Sequence, residues 1–83
     1  MTRDDPELLA AVDHALAGDW QRAHEIVQER EGEPIADWIH GAAHWMEGDL
    51  SNARYWFGQA GREMSRYATV EEALRAIRKA LTG

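Results

Sequence analysis

Asp37, His40, His44 and Glu47 are spaced by three, four and three. On a helix that spacing sets all four on one side. Two imidazoles four residues apart make a workable bidentate arrangement for a metal ion. The residue after His40 is Gly41, where helical zinc peptidases carry the glutamate that acts as general base, so the pattern speaks for binding rather than hydrolysis. His40 and His44 are therefore the candidate metal ligands. The competing reading has them hydrogen-bonding to neighbouring helices or meeting water.

A second group is Arg54, Tyr55, Trp56 and Gln59. Tyr55 lies well off the apolar stripe that runs through Ala53 and Phe57, and Trp56 flanks it. Tyr, Trp and Arg are the side chains enriched among interface anchors. The alternative is that Trp56 covers an adjacent helix and Tyr55 lies over arginine side chains. A third group is the apolar width of the stretch from Ile35 to Met46, with Trp38, Trp45 and Met46. These residues either line a groove for a partner's apolar segment or form core beneath a later helix. Trp38, Trp45, Met46, Tyr55 and Trp56 are thus the candidate partner-binding residues. No Gly-rich phosphate loop and no Ser-His-Asp or Cys-His arrangement can be identified, so no catalytic residue is expected and no cofactor is implied. The paired carboxylates Asp4-Asp5 and Glu71-Glu72 sit at helix starts, where the backbone dipole accounts for them.

The elements that must position these residues are five helices. Asp5-Pro6 supplies an N-cap followed by proline at the first helical position, and Leu8, Leu9, Val12, Ala15 and Leu16 form the stripe of a first helix ending at Gly18. Asp19 caps a second helix with Trp20, Ala23, Ile26 and Val27 inward, and it runs out at Glu29-Arg30-Glu31-Gly32. Glu33-Pro34 opens a third, which Gly48 ends. Asp49 caps a fourth, whose stripe is Leu50, Ala53, Phe57, Ala60 and Met64. Residues 61–68 form the longest connection. Thr69-Val70-Glu71-Glu72 is a capping box ahead of a last amphipathic helix bearing Val70, Ala73, Leu74, Ile77 and Leu81. No run alternates for long enough to be a strand, so the fold class is all-α, with short connections that set successive helices antiparallel. The expected layout is one helical domain: a first hairpin over 6–31, a second over 34–63, and a closing helix over 69–82.

The two turns share more than their shape. Gly18-Asp19-Trp20-Gln21-Arg22-Ala23 aligns with Gly48-Asp49-Leu50-Ser51-Asn52-Ala53 at an offset of 48 − 18 = 30 residues, and His14 then falls on His44. That equivalence makes His14 a third candidate ligand. With Val27, Phe57 and Ala60 the pattern becomes Gly-x-large-x-x-Ala-x-x-x-large-x-x-Ala, which resembles the second half of a tetratricopeptide repeat. Gly41 stands where the first helix of that repeat often has a small residue, and Arg30 stands in place of the last Ala of the first unit. The resemblance covers residues 7–61 and implies a helical-repeat scaffold whose concave side receives ligands. Residues 38–62 also resemble a group of small uncharacterised bacterial proteins, a likeness that implies no activity.

Composition sets the remaining bounds. Eighty-three residues make one small domain, whose core supplies only a few kcal/mol of net stability without reinforcement. The chain has no cysteine, which excludes a disulfide framework and a thiolate metal site. The charged start, Met1-Thr2-Arg3-Asp4-Asp5-Pro6, has no apolar run behind it, and no stretch is long enough to span a membrane. A cytoplasmic protein is the expectation. The net charge of −6 argues against nucleic acid as a partner. Residues 1–50 hold twelve acids and three arginines, for −9, and residues 51–83 hold three acids and six bases, for +3. The expected partner is a protein or a second copy, and the surplus of apolar stripes with four Trp points to a homodimer. The function implied is a non-enzymatic interaction module, and the alternative is a small metal- or ligand-binding protein using His40 and His44.

Overall fold

A computed structural model describes residues 5–83; Met1, Thr2, Arg3 and Asp4, which open the charged N-terminal stretch, lie outside the described residues. The chain forms α1 (Pro6–Leu16), α2 (Trp20–Gln28), α3 (Pro34–Glu47), α4 (Leu50–Gln59) and α5 (Val70–Thr82), with a 3₁₀ turn at Met64–Arg66 between the last two. No strand occurs among the described residues. The fold is all-α.

The starts of α1, α2, α4 and α5 each follow from a side chain that takes up one of the backbone N–H groups orphaned there, whereas α3 opens on Pro34 with no side-chain cap. The carboxylates of Asp5, Asp19 and Asp49 accept from the N–H groups of Leu8, Arg22 and Asn52, and the Thr69 hydroxyl accepts from that of Glu72. The capping box closes one residue early: the Glu72 carboxylate accepts from the N–H of Ala68 rather than from that of Thr69. The two aligned turns use the same bonds. Gly18 and Gly48 have φ of 95° and 91°, and the next residues, Asp19 and Asp49, donate their N–H groups to the carbonyls of His14 and His44. Positive φ is the conformation a side chain opposes, so the glycines fix where both chains reverse.

Consecutive helices pack on one another from α1 to α4, and α5 packs against α1 and α3. It therefore lies on the side that the first helices of the two hairpins share. Leu8, Val12, Ala15, Trp38 and Ala42 are buried in one cluster with Ala73, Leu74, Ile77 and Leu81 of α5. Ile35, Trp45 and Met46 are half-buried against that cluster. Of the two sequence readings for this apolar width, core beneath a later helix is the one the structure contains.

The centre of the molecule is α3. From Ala36 to Ala43 every residue is buried, more than two full turns of helix with no watered side. Such enclosure needs small residues where neighbours come closest. A Cβ at Gly41 would lie 2.5 Å from Cδ1 of Phe57 and 3.1 Å from the Ala53 carbonyl oxygen. Phe57 is itself fully buried, so its ring cannot swing aside.

Arg30, just past the end of α2, ties two helix starts together. Its guanidinium makes a bidentate pair with Asp5 at 2.8 and 2.7 Å, reaches Glu7 at 3.1 Å and binds Glu33 at 2.6 Å. Asp5 is the N-cap of α1 and Glu33 that of α3. The Arg30 guanidinium holds the carboxyls of both Asp5 and Glu33 below their ordinary range. A second ion pair, Arg78 to Asp13 at 2.8 Å, joins α5 to α1, one point at which the basic end of the chain meets the acidic beginning.

Two predictions follow from this packing. Gly41→Ala should lower stability by about 1 kcal/mol, because overpacking a filled core costs about 1–3 kcal/mol and the gain of about 1 kcal/mol in helix propensity offsets only part of that. Urea midpoints measure it, and adding Phe57→Leu should recover part of the loss. Arg30→Met should cost about 1 kcal/mol at neutral pH, as for a small exposed network. The folded carboxyls titrate below their unfolded values, so the contribution is full above the ordinary carboxylate range and is lost as pH falls through the lowered one. The gap between Arg30→Met and wild-type melting temperatures should close on acidification.

Candidate functional site

On the side of α3 marked out by Asp37, His40, His44 and Glu47, the first two are buried, His44 is half-buried and only Glu47 is exposed. Asp37 is buried, and its carboxylate accepts the N–H of Gly32 at 3.1 Å, which closes the turn between α2 and α3. That bond explains the acid without any ligand. His40 is 3% exposed, His44 is half-buried, and Glu47 lies near the helix end. Of the environments the sequence left open for these residues, neighbouring elements are the one found for Asp37 and His40: α2 and α4 pack on α3 and enclose it.

What covers these residues is aromatic. The indole of Trp56 stacks on His40 with centroids 4.0 Å apart and planes within 8°. Tyr55 meets Trp56 edge-on at 5.1 Å. From α2 comes His24, whose ring stands 4.7 Å from His40 and 5.1 Å from His44, while His40 and His44 are 5.0 Å apart. The three imidazoles form a nearly equilateral triangle. Each offers a nitrogen, and these nitrogens all lie within 4.8 Å of one another.

His24 was not among the sequence candidates, and His14, which was, is not part of the cluster. The helical repeat pointed to the wrong histidine because it compares equivalent positions, whereas contacts are made across turns. Antiparallel helices pair residues at equal distance from the turn that joins them. His24 and His40 each lie eight residues from Gly32, and His40 and Trp56 each lie eight from Gly48. That symmetry was present in the sequence.

Burial sets the chemistry of these rings. His40 is pushed down to about 4, first by burial, which disfavours its charged form, then by the neighbouring His24 and His44. It is a neutral imidazole at physiological pH. Among the described residues its Nδ1 has no hydrogen-bond partner although it is buried. His44 differs, since its Nδ1 is 2.7 Å from Oε2 of Glu47. With the proton on Nδ1 donated to that carboxylate, the lone pair is left on Nε2.

The partner-binding candidates separate by exposure. Trp38 is 3% exposed, with the Arg62 guanidinium 4.1 Å above its ring and Tyr67 beside it; it presents no free face. Trp45 and Met46 are half-buried, Trp45 edge-on to Phe57 at 6.0 Å. Trp45 also lines a cleft of about 250 Å³ with Arg54, Met64, Ser65 and Tyr67. Trp56 is half-buried on the histidines. Tyr55, at 55% exposed, is turned to solvent together with Leu50 at 44%. Leu50 was expected in the buried stripe, but as the first residue of α4 it has no preceding turn to pack beneath it.

No protein-family model, no curated protein and no solved structure matches the chain.

The stack on His40 is open to a direct test. Trp56→Ala should lower stability by about 2 kcal/mol, less than the 3–5 kcal/mol of a fully buried Trp because the ring is only half covered. Trp56→Phe keeps a stacking face and should cost less than about 1 kcal/mol. Thermal or urea unfolding followed by circular dichroism measures both.

Proposed function

We propose that this protein is a non-enzymatic interaction module that engages a protein chain, in the simplest case a second copy of itself, through aromatic residues carried on a tetratricopeptide-like pair of helical hairpins. The observation that carries this reading is Tyr55. It stands on α4, more than half exposed, braced edge-on by Trp56 and flanked by Arg54. A rigid aromatic held in place before binding loses little side-chain freedom on contact, and Tyr, Trp and Arg are the types on which interface energy concentrates.

The position of α5 supports the same surface. In a tetratricopeptide-like stack the concave side is the usual binding face, and α5 lies across it. This supports binding through α4 instead. Several polar side chains have structural work: Asp5, Asp19 and Asp49 cap helices, Asp37 closes a turn and Arg30 joins helix starts. The separation of acidic and basic halves favours an arrangement in which two copies meet with unlike charges opposed. No helix among the described residues is long and apolar enough to cross a membrane; the cytoplasm is the compartment inferred from the absence of cysteine. A second reading, of a small metal- or ligand-binding protein, has its own observation in the meeting of His24, His40 and His44.

Sedimentation equilibrium at tens of micromolar tests the interaction reading. A two-fold dimer is expected, and Tyr55→Ala should weaken it about tenfold or more, as for an anchor worth upward of 1.4 kcal/mol. A single species of 9.4 kDa, unaltered by Tyr55→Ala, would overturn self-association.

A further inference from the structure

We propose that His24, His40 and His44 together bind a divalent first-row transition metal ion of the zinc class, with Glu47 as the outer carboxylate that orients His44. This inference is independent of the interaction reading and concerns a site that the α3 histidines alone do not complete.

The donors come from two helices. His40 and His44 are one turn apart on α3, and His24 faces them from the middle of α2, which the turn at Gly32 brings alongside. Ring separations of 4.7, 5.1 and 5.0 Å enclose a point reachable from all three. Nitrogens bound to one zinc ion at about 2.0–2.1 Å lie about 3.3 Å from each other. The nitrogens here lie within 4.8 Å, so closure needs a shift of about 1.5 Å or less between them. Small rotations of imidazole side chains supply that, and the helix backbones can stay where they are.

Three further observations fit an ion at this place. The Glu47 carboxylate on Nδ1 of His44 is the outer-shell contact that holds a ligating histidine in the tautomer with a free Nε2. His40 is buried among rings with an Nδ1 that no group among the described residues satisfies, a rare condition for an interior polar atom. Its plane is held by Trp56 stacked 4.0 Å away, so the ring is oriented before any ion arrives. The ligand set is three neutral nitrogens. Imidazole suits zinc, cobalt, nickel and copper, whereas magnesium and calcium require oxygen. Three protein ligands leave a fourth position for water or another small donor.

The test uses untagged, chelator-treated protein. Titration calorimetry with Zn²⁺ and with Co²⁺ should show one ion per chain, bound with a dissociation constant of about 1 µM or below, and no heat with Mg²⁺. The Co²⁺ complex should have the visible absorption of a four-coordinate nitrogen site. His24→Phe, which keeps a ring in place but cannot ligate, should weaken binding at least about 100-fold, and Glu47→Gln should weaken it about tenfold. His14→Ala should change nothing. Circular dichroism and a urea midpoint confirm that each variant is folded before it is titrated. Absence of one-to-one binding in the wild-type protein would overturn the proposal, whatever the variants do. Binding that survives in folded His24→Phe, or is lost in folded His14→Ala, would overturn it equally. Sedimentation of the chelator-treated protein answers the self-association question separately, so failure of one reading leaves the other measurable.

Discussion

The packing of Phe57 against Gly41 is the contact on which the arrangement depends. It lets α4 approach α3 until the Ala53 carbonyl oxygen is 3.1 Å from where a side chain would begin, closer than an ordinary van der Waals contact. With α2 on another side, and with α1 and α5 also packed on it, α3 has neighbours all round. Small residues at Ala36, Gly41, Ala42 and Ala43 make that enclosure sterically feasible. A helix surrounded in this way has no wet face on which to place polar residues, so Asp37 and His40 are interior by necessity. Their chemistry follows from that: one is satisfied by a backbone N–H, and the other is held neutral among rings.

Around this centre, local chemistry at helix ends decides where each element starts and stops. Aspartates and a threonine take up N–H groups that would otherwise be orphaned, and glycines at positive φ end the helices before them. Arg30 adds a tie between elements distant in sequence. It replaces the alanine that the repeat pattern would have, and the exchange turns a packing position into a charged clamp on the starts of α1 and α3. Each pair within it is weak alone because water competes. A planar guanidinium engaging carboxylates bidentately is nonetheless specific in geometry, which favours one relative placement of the first and third helices.

The helix boundaries were legible in the sequence because they depend on residues within four positions of each other: Asp5-Pro6, Gly18-Asp19, Glu33-Pro34, Gly48-Asp49 and Thr69 act locally. The all-α class was legible for the same reason. What was not legible is which faces end up covered. Periodicity assumes that a helix has one buried and one solvated side, and α3 violates the assumption, so the pattern alone did not decide between neighbouring helices and water for Asp37 and His40. Leu50 failed in the opposite sense, fitting the stripe by number but lying at a helix end with little above it. The site was half legible. His40 and His44 share one helix and their spacing is visible, whereas His24 enters through the pairing of two helices.

That pairing has a consequence for how the outside and inside of the molecule communicate. Tyr55, Trp56, His40 and the other two histidines form a continuous series of ring contacts from solvent to interior. Trp56 belongs to both ends: it braces the exposed Tyr55 and fixes the plane of His40. Interiors are close-packed, so the stack at 4.0 Å ties the placement of the Trp56 ring to that of His40. Buried imidazoles are also costly compared with apolar side chains of the same volume, because their nitrogens give up water. A sequence selected for core stability alone would place phenylalanine or leucine at position 40, where the imidazole is buried. Local departures from the most stable choice concentrate where a protein does something besides fold, and this one lies beneath Trp56, the ring that braces the exposed Tyr55.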